Sequence, residues 1–519
     1  MLTPFRNEPL TDFSTPDNRE AFRAALDQVK AEIGRTYPLL IGGEEIYLNE
    51  TFASVNPARP AEVLGYFAKA AVEQAEMAML AALKAFEAWR YVSHSERARY
   101  LLRAAAEMRR RKHEFSAVMV LEVGKSWAEA DADTAEAIDF LEYYARQAIR
   151  LERASDLLTP YAPEQLELQY IPLGVGIVIP PWNFPNAILT GMTSASVVAG
   201  NATILKPAST SPWIAWKVAD LFRSVGLPGG VLNYLTGPGS LAGAYLVEHP
   251  KTRFIAFTGS MEVGLGIFEK AAKVPPGQVW LKRTILEMGG KDAVVVDETA
   301  DLEAAAAGIV TSAFGFQGQK CSAGSRAIVT APVYERVAER VVALTKQLRV
   351  DATDKGPEVD MGPVVDQKAF GTIINYIEVG TQEGELLTGG HAIETPEGGY
   401  FIEPTVFGGV DPQARIAQEE IFGPVLAMIC AQDYDDALAI ANGTLYGLTG
   451  AVYSRDRARL ERARREFHVG NLYFNRKCTG ALVGVHPFGG FNMSGTDSKA
   501  GGPDYLLLFT QAKSIAERL

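Results

Sequence analysis

Apolar residues recur every three or four positions over three long stretches near the start of the chain. These stretches are residues 70–89, 95–117 and 128–151, and in the last of them Ile138, Leu141 and Tyr144 share a face. The spacing predicts amphipathic helices, because one face of a helix repeats about every 3.6 residues. We therefore expect the first 150 residues to be mostly helical and to cover the molecule rather than supply its chemistry.

From Val175 the pattern changes to short apolar runs separated by segments of helix length. The runs are VGIVIP (175–180), ATILKP (202–207), GVLNYL (230–235) and TRFIAFTG (252–259). A second series has strands within 284–297 and at 326–330, with helices over 302–313 and 334–348. Alternating strands and helices predict parallel sheets built from βαβ units. Two such series predict two α/β lobes with a ligand cleft between them.

Residues 155–173 contain an alternating stretch, LELQYIPL (166–173), which predicts a β-hairpin. An isolated hairpin is marginally stable and exposes its edges, so we expect this one to pair across a subunit interface.

Composition and charge exclude several classes of protein. The 519 residues are 47% hydrophobic and 22% charged, which is typical of a globular chain. The net charge of −12 is the wrong sign for a nucleic-acid or anionic-membrane binder. No run of 18 apolar residues and no apolar leader are found, so the sequence predicts a cytoplasmic protein without a membrane span.

The cysteines and histidines do not form a disulfide framework or a metal site. Cys321, Cys430 and Cys478 lie far apart, and Cys430, in the strand-like VLAMIC, is expected to be a buried apolar side chain. The six histidines have no spacing typical of zinc ligands, so no metal is predicted.

Two phosphate-binding motifs occur only in part. GPGSLA (237–242) fits the dinucleotide pattern formally but is equally typical of a glycine-rich turn. Gly124-Lys125-Ser126 resembles the end of a P-loop, yet Met119 stands where the first glycine belongs, so this motif is excluded.

Three residues remain as candidates for catalysis. Cys321 lies in a polar glycine-rich turn, FGFQGQKCSAGSR (314–326), where Lys320 and any helix N-terminus facing the thiol would lower its pKa. Glu287 follows a strand and precedes two glycines, so it is either a general base in a cleft or half of an ion pair with Lys291. Asn183, between prolines, could stabilise a developing negative charge or close an Asx turn.

Seven ordered segments resemble the signature blocks of the NAD(P)-dependent aldehyde dehydrogenase family. They are PWNFP (181–185), ILKPA (204–208), FTGSMEVG (257–264), LEMGGK (286–291), GQKCS (318–322), EEIFGPV (419–425) and PFGGFNMSG (487–495). The resemblance covers nearly the whole chain after about residue 40.

The resemblance implies an α/β fold of three parts. A Rossmann-type dinucleotide domain with an N-terminal helical arm would comprise residues 1–152 and 174–286, and an α/β catalytic domain residues 287–487. A small β extension for oligomerisation would comprise residues 153–173 and 488–519.

The resemblance also implies catalytic and cofactor-binding roles. Cys321 would attack an aldehyde, Asn183 would meet the oxyanion, and Glu287 would activate water to release a carboxylate. NAD is the expected cofactor, with NADP tolerated because Ser209 replaces a glutamate that many NAD-preferring relatives carry. The expected cofactor-binding residues are Ile179, Pro181, Trp182, Lys206, Ser209, Gly239, Gly259, Ser260, Met288, Gly289, Glu420 and Phe422.

Within the family, segments 280–292, 314–322 and 467–496 are most similar to those of members that oxidise L-glutamate γ-semialdehyde in proline degradation. This similarity implies that Glu136 faces the substrate ammonium, although a solvated helix face would equally suit a glutamate at that position. Ser322, Gly480 and Ala481 would bind the carboxylate, and Phe184 and Phe488 would sandwich the aliphatic stem.

Three other functions stay open at this point: oxidation of another short semialdehyde, a non-catalytic structural or binding protein, and an esterase that uses Cys321 and Glu287 without a dinucleotide. A homodimer or larger homo-oligomer is expected. The resemblance also suggests functional coupling to a separate proline dehydrogenase, since this chain has no room for a second enzyme.

Overall fold

The computed structural model of the protein describes residues 3–518. The predicted domain limits at residues 1 and 519 lie outside the described residues. The helices are α1 (Pro16–Lys30), α2 (Val72–Trp89), α3 (His94–Arg110), α4 (Lys112–Glu122), α5 (Trp127–Leu151), α6 (Ala187–Val198), α7 (Pro212–Ser224), α8 (Ala244–Glu248), α9 (Met261–Ala272), α10 (Leu302–Phe314), α11 (Tyr334–Thr345), α12 (Gln367–Glu383), α13 (Arg415–Gln418), α14 (Tyr434–Asn442) and α15 (Arg457–Glu466).

The strands alternate with these helices along most of the chain. They are β1 (Arg35–Tyr37), β2 (Leu39–Ile41), β3 (Glu44–Ile46), β4 (Thr51–Asn56), β5 (Arg59–Ala68), β6 (Glu164–Pro172), β7 (Val175–Ile179), β8 (Ala202–Leu205), β9 (Leu232–Tyr234), β10 (Thr252–Thr258), β11 (Arg283–Glu287), β12 (Ala293–Val296), β13 (Arg326–Thr330), β14 (Glu385–Thr388), β15 (Ala392–Ile393), β16 (Phe401–Ile402), β17 (Thr405–Gly408), β18 (Val425–Ala431), β19 (Tyr446–Gly447), β20 (Thr449–Tyr453), β21 (Asn471–Phe474), β22 (Phe491–Asn492) and β23 (Thr510–Arg518).

Two seven-stranded sheets form the centres of the two predicted lobes. The first has the order β11-β10-β7-β8-β9-β2-β3, and its strands β7 to β11 are parallel. The second has the order β14-β17-β18-β13-β12-β20-β21 and is parallel except at β14. Helices separate the parallel strands in sequence, as the alternation of apolar runs predicts.

Buried apolar side chains cover these sheets. The strand VGIVI of β7 is buried almost throughout, as expected for a parallel strand with helices on both faces. The largest cluster of buried residues includes Phe254, Trp213 and Tyr144 and joins the first sheet to the long helices α3 to α7. Dense packing of this kind fixes the loops that follow the strands.

Several local predictions are wrong. Residues 155–173 do not form a hairpin: β6 is a single strand that pairs antiparallel with β23 at the other end of the chain, from Pro172 opposite Thr510 to Glu164 opposite Arg518. The helix predicted over 95–117 is divided into α3 and α4 at Arg111. Cys430 lies in β18 as expected but is exposed rather than buried.

The early part of the chain also contains strands that helical periodicity does not reveal. β1, β4 and β5 form a small sheet, and β2 and β3 extend the first large sheet. These strands have three to ten residues, too short for most of them to show a clear alternation. No helix in residues 3–518 is both long and apolar enough to cross a membrane.

Candidate active site

Two cavities meet at Cys321. The larger encloses about 780 Å³ and the smaller about 100 Å³. Cys321 and Thr258 line both of them. The larger has the size of a cofactor site and the smaller that of a compact substrate, and the thiol lies where two bound molecules would touch.

A strained turn presents the thiol. After α10 the residues Phe316, Gln317 and Gly318 have φ values of 51°, 56° and 67°, in the left-handed region that side chains other than glycine rarely adopt. The Gln317 side-chain amide donates hydrogen bonds to the carbonyl oxygens of Gly124 (3.0 Å) and Pro363 (2.8 Å). These bonds hold the turn, and strain maintained in this way is typical of functional sites.

The surroundings of Cys321 correct one prediction. Lys320 does not lower the pKa of the thiol; its Nζ donates instead to a Glu129 carboxylate oxygen 2.6 Å away. Burial raises the pKa of Cys321, and the carboxyl groups of Asp292 and Glu420 raise it further. In this state the thiol is protonated at neutral pH, so it needs a nearby base or positive charge to become a nucleophile.

Glu287 ends β11 and lines the smaller cavity with Cys321. The Ser498 hydroxyl donates to one carboxylate oxygen of Glu287, while the other, also buried, has no hydrogen-bond partner among residues 3–518. Burial raises the pKa of Glu287 to about 8. The alternative ion pair with Lys291 is not formed, since the Lys291 ammonium has no hydrogen-bond partner in the same part of the chain.

Asn183 lies in the segment between β7 and α6 and is 3% exposed. Its side-chain carbonyl oxygen accepts a hydrogen bond from the Phe184 backbone N–H (3.1 Å). The nitrogen of the Asn183 side-chain amide therefore points away from the Phe184 N–H. Asn183 and Cys321 both line the larger cavity, so the amide and the thiol border the same space.

The larger cavity gathers nearly all the residues predicted to bind the cofactor. Gly239 is the exception: it is exposed in a turn, Gly239–Gly243, and does not line the cavity. The lining residues from the prediction are Ile179, Pro181, Trp182, Lys206, Ser209, Gly259, Ser260, Met288, Gly289, Glu420 and Phe422.

The donor groups on this cavity fit a dinucleotide. Gly259 and Ser260 stand at the start of α9, where free N–H groups and the helix dipole attract phosphate. Lys206 is 6% exposed, and burial alone lowers its pKa to about 8, with no carboxylate offsetting this effect. A cation in this position suits a sugar hydroxyl or phosphate.

The carboxylate of Glu420 is fixed against two glycines. It accepts a hydrogen bond from the Gly290 N–H (3.0 Å). A Cβ added at Gly289 would lie 2.2 Å from a Glu420 carboxylate oxygen, so a larger residue there would displace the Glu420 side chain. Gly289 and Glu420 both lie on the wall of the larger cavity.

The smaller cavity brings together all six residues predicted to bind the substrate, which are Glu136, Phe184, Ser322, Gly480, Ala481 and Phe488. At Gly480 φ is 77°, so this position favours glycine. Arg476 donates to the carbonyl oxygens of Thr479 (2.6 Å) and Gly480 (3.0 Å) and thereby orients this loop.

Several lining residues were missed by the sequence reasoning. Phe140 and Tyr144 lie four and eight positions after Glu136 on α5, so the helical period that revealed α5 could have identified them. The others come from distant segments with no shared sequence signal, namely Ile188, Gly191, Met192, Thr258, Ala500 and Tyr505.

Glu136 is the one carboxylate, besides Glu287, on this cavity. Burial raises the pKa of Glu136 to about 8, and the neighbouring Asp133 adds to the effect. A positively charged group bound in the cavity would favour the ionised form of Glu136 and so lower its pKa again. Among residues 3–518, no group of three or more His, Cys, Asp and Glu side chains is placed to hold a metal ion.

The profile of the aldehyde dehydrogenase family matches residues 47–515. The protein belongs to the aldehyde dehydrogenase family, and the fold expected from its sequence is confirmed. It is 60% identical to 1-pyrroline-5-carboxylate dehydrogenase of Geobacillus thermodenitrificans, with 100% of both chains covered.

Two solved structures resemble the chain over nearly its full length. The crystal structure of 1-pyrroline-5-carboxylate dehydrogenase from Thermus with bound NAD has a TM-score of 0.98, 55% identity and complete coverage of both chains. Proline utilization A from Bdellovibrio bacteriovorus has a TM-score of 0.96 and 45% identity; the match covers 99% of this chain and 53% of that one.

Proposed function

We propose that the protein oxidises L-glutamate γ-semialdehyde, which is in equilibrium with Δ1-pyrroline-5-carboxylate, to L-glutamate with NAD as the oxidant. The observation that carries this proposal is the position of Cys321 at the junction of a cofactor-sized and a substrate-sized cavity. The names of the full-length relatives, and the NAD bound in the Thermus enzyme, support the substrate and the cofactor.

The first step would be attack of the Cys321 sulfur on the aldehyde carbon. Glu287 is the nearby base that could take the thiol proton, since both residues line the smaller cavity. The carbonyl oxygen would become an oxyanion in the resulting thiohemiacetal. The Asn183 amide and the Cys321 backbone N–H would stabilise that charge by donating hydrogen bonds to it.

Oxidation needs a hydride acceptor beside the thiohemiacetal. When bound in the larger cavity, NAD supplies that acceptor, and the positive charge of its ring favours the thiolate of Cys321. Lys206 and Glu420 would hold the two riboses, and the start of α9 at Gly259 and Ser260 would hold the pyrophosphate. Phe422 would pack beside the nicotinamide ribose.

The last step would release the acid. Loss of hydride converts the thiohemiacetal into a thioester, and Glu287, once ionised, would take a proton from a water molecule that attacks the thioester carbon. The carbon–sulfur bond then breaks and the Cys321 thiol is regenerated. The products are a carboxylate, the reduced cofactor and two protons.

The polar groups that line the smaller cavity suit an amino acid. Glu136 offers a carboxylate for the substrate ammonium, while Ser322, Gly480 and Ala481 would bind the carboxylate. Phe184 and Phe488 would lie against the aliphatic stem. Succinate or methylmalonate semialdehyde would bring no ammonium to Glu136, so the buried carboxylate favours the glutamate-derived substrate.

The decisive experiment measures reduced-cofactor absorbance with glutamate semialdehyde and either NAD or NADP. Cys321→Ala should lower kcat by at least about 10³-fold, whereas the exposed Cys430→Ala should match the wild type. Unimpaired oxidation by Cys321→Ala would overturn the mechanism. Cleavage of a test ester, with no reduced cofactor formed from the aldehyde, would indicate an esterase, and neither activity a binding protein. Faster turnover of succinate or methylmalonate semialdehyde would show that one of these, and not glutamate semialdehyde, is the preferred substrate.

The division into three domains and the assembly belong to the same proposal. A homo-oligomer, at least a dimer, would form through the segments 153–173 and 488–519, in which β6 and β23 lie side by side. We further propose functional coupling to a separate proline dehydrogenase and a cytoplasmic location.

A further inference from the structure

Lys125 is fully buried and has no part in the mechanism above. It is the lysine of the Gly124-Lys125-Ser126 motif, which the sequence excludes from a P-loop. In the structure it lies in the short connection between α4 and α5. A buried lysine costs free energy unless its charge is matched, so its surroundings indicate what it does.

The Lys125 ammonium lies over two aromatic rings. Its Nζ is 4.0 Å from the ring centre of Phe184 and 4.4 Å from that of Phe316. Phe184 directly follows Asn183, and Phe316 begins the strained turn that leads to Cys321. Cation–π attraction is strongest when the pair is desolvated, as it is in this position.

The same ammonium also reaches the helix that follows Asn183. Lys125 Nζ is 3.0 Å from an Asp133 carboxylate oxygen, and both side chains are fully buried. The other oxygen of Asp133 accepts a hydrogen bond from the Ala187 N–H (2.6 Å), at the first residue of α6. The Asn183 segment is therefore held by Lys125 at Phe184 and, through Asp133, at Ala187.

The residue before Lys125 makes a second contact with the turn. The Gly124 carbonyl oxygen accepts the hydrogen bond from the Gln317 amide. Gly124 has φ 69°, and a Cβ there would lie 2.9 Å from the Pro363 ring, so this position requires glycine. The connection at 124–125 thus touches both Phe316 and Gln317, two of the three left-handed residues before Cys321.

We propose that Lys125 is a positioning residue that holds the Asn183–Phe184 segment against the turn ending at Cys321, and so sets the distance between the amide and the thiol. The proposal rests on the roles given above to Cys321 and Asn183, but not on the identity of the aldehyde. The alternative is a buried ion pair that only stabilises the fold.

Lys125→Met removes the charge but keeps the length of the side chain. We expect kcat to fall about 10²-fold, because small displacements of reacting groups have effects of that size. The loss should be equal for glutamate semialdehyde and for propionaldehyde, which has no amino or carboxylate group, and the KM for NAD should not change. Alkylation of Cys321 by iodoacetamide should also slow.

The matched control is Lys217→Met. Lys217 is 6% exposed and pairs with Glu32 and Glu114 away from both cavities. The Lys217→Met variant should have a lower Tm, while its kcat and its rate of Cys321 alkylation stay at the wild-type values. Both variants are assayed at a temperature at which circular dichroism shows them to be folded.

The double variant Lys125→Met/Asp133→Asn separates positioning from simple charge pairing. The double variant has no unpaired carboxylate at position 133, and the side-chain oxygen of the asparagine there still accepts from the Ala187 N–H. We therefore expect Tm to recover while kcat stays low. Recovery of kcat in the double variant would overturn the proposal, as would wild-type kcat in Lys125→Met. A loss confined to glutamate semialdehyde would overturn it too, since Lys125 would then act on the Glu136 end. If the wild-type protein oxidises neither aldehyde, the proposed function fails, and the alkylation rate still decides the role of Lys125.

Discussion

Glu287 illustrates at the residue scale how burial sets the conditions for chemistry. A carboxyl with a pKa of about 8 is largely protonated at neutral pH and cannot accept a proton from water in that form. Once Glu287 is ionised, its raised pKa makes it a stronger base towards water than an ordinary glutamate. The activity of the protein should therefore depend on pH in the range where an ordinary glutamate is insensitive.

We expect the rate of thioester hydrolysis to rise with pH up to about 8 and then level off, because only ionised Glu287 activates water. The measurement is kcat against pH from about pH 6 to about pH 9, with a pre-steady-state burst to separate hydride transfer from hydrolysis. Glu287→Gln should give a slower burst of reduced cofactor, because Cys321 loses the base that takes its proton, and turnover should then stop.

Ser498→Ala serves as the matched variant for this profile. The Ser498 hydroxyl bond lowers the pKa of Glu287, so its removal should move the ascending limb to higher pH without abolishing turnover. A flat profile in the wild type, or a limb that Ser498→Ala leaves in place, would show that Glu287 is not the base.

We expect Ser209 to influence how well the larger cavity accepts the 2′-phosphate of NADP. It lines the larger cavity three positions after Lys206 and carries no charge. Ser209→Glu should reduce kcat/KM for NADP at least about tenfold by repulsion while leaving NAD in use. Ser209→Ala, which adds no charge, should keep the wild-type ratio. Equal or better efficiency with NADP than with NAD in the wild type would refute the predicted preference.

Among the elements, α5 connects the surface helices to the smaller cavity and to the turn that carries Cys321. Its residues Glu129, Asp133 and Glu136 follow at helical spacing. Glu129 binds Lys320 beside the thiol, Asp133 binds Lys125, and Glu136 lines the smaller cavity. Burial works to raise the pKa of Glu129, but the ammonium groups of Lys320 and Lys125 outweigh it and the net shift is downward. One helix therefore supplies three carboxyl groups in different surroundings, since Glu129 and Asp133 each face a lysine and Glu136 faces the smaller cavity.

Glu136→Gln should weaken capture of the amino end of the substrate. A hydrogen bond to a charged group contributes about 1.5–3 kcal/mol, so kcat/KM for glutamate semialdehyde should fall about 10- to 100-fold. Turnover of succinate semialdehyde should not fall. The matched control is Glu142→Gln on the same helix, which pairs with Arg109 and Arg146 at the surface. Equal losses for both aldehydes would contradict this role for Glu136.

On the scale of the whole molecule, β6 and β23 join the middle of the chain to its last described residues. The nine residues of each strand pair along their full length, and most of their side chains are exposed or half-buried. A two-stranded ribbon with open edges is marginal alone. This is the physical reason to expect a partner subunit along it.

Removal of residues 511–519 should leave β6 unpaired and convert the proposed oligomer into monomers. Light scattering after size-exclusion chromatography measures the mass, and Glu517→Gln, which keeps the strand, is the control. A full-length protein that is monomeric at micromolar concentration would contradict the expected interface. An unchanged oligomer after the truncation would place that interface elsewhere.

The local hydrophobic pattern and the ordered motifs predict much of the fold and of the candidate site. The parallel strands from Val175 to Thr330 and the helices α2 and α5 were predicted from the chain, because burial on both faces and helical period leave direct marks on sequence. The ordered motifs indicated the candidate residues that line the two cavities, but not the other residues of the walls, such as Phe140 and Tyr505. The predicted hairpin at 155–173 failed because the partner of β6 lies more than 300 residues away, and alternation identifies a strand without identifying its neighbour. The strands before α2 were not predicted, because most of them are too short to show a clear alternation of apolar and polar residues.

The sequence by itself determined the types of chemistry available: a cysteine in a glycine-rich turn, a glutamate after a strand, an amide between prolines, and the family to which their order belongs. Only the tertiary structure decided their charge states and connections. It paired Lys320 with Glu129 instead of with the thiol, buried Glu287 until its pKa rose to about 8, and enclosed Lys125 between the two catalytic segments. Burial and distance between remote residues set those properties, and neither is encoded in local spacing.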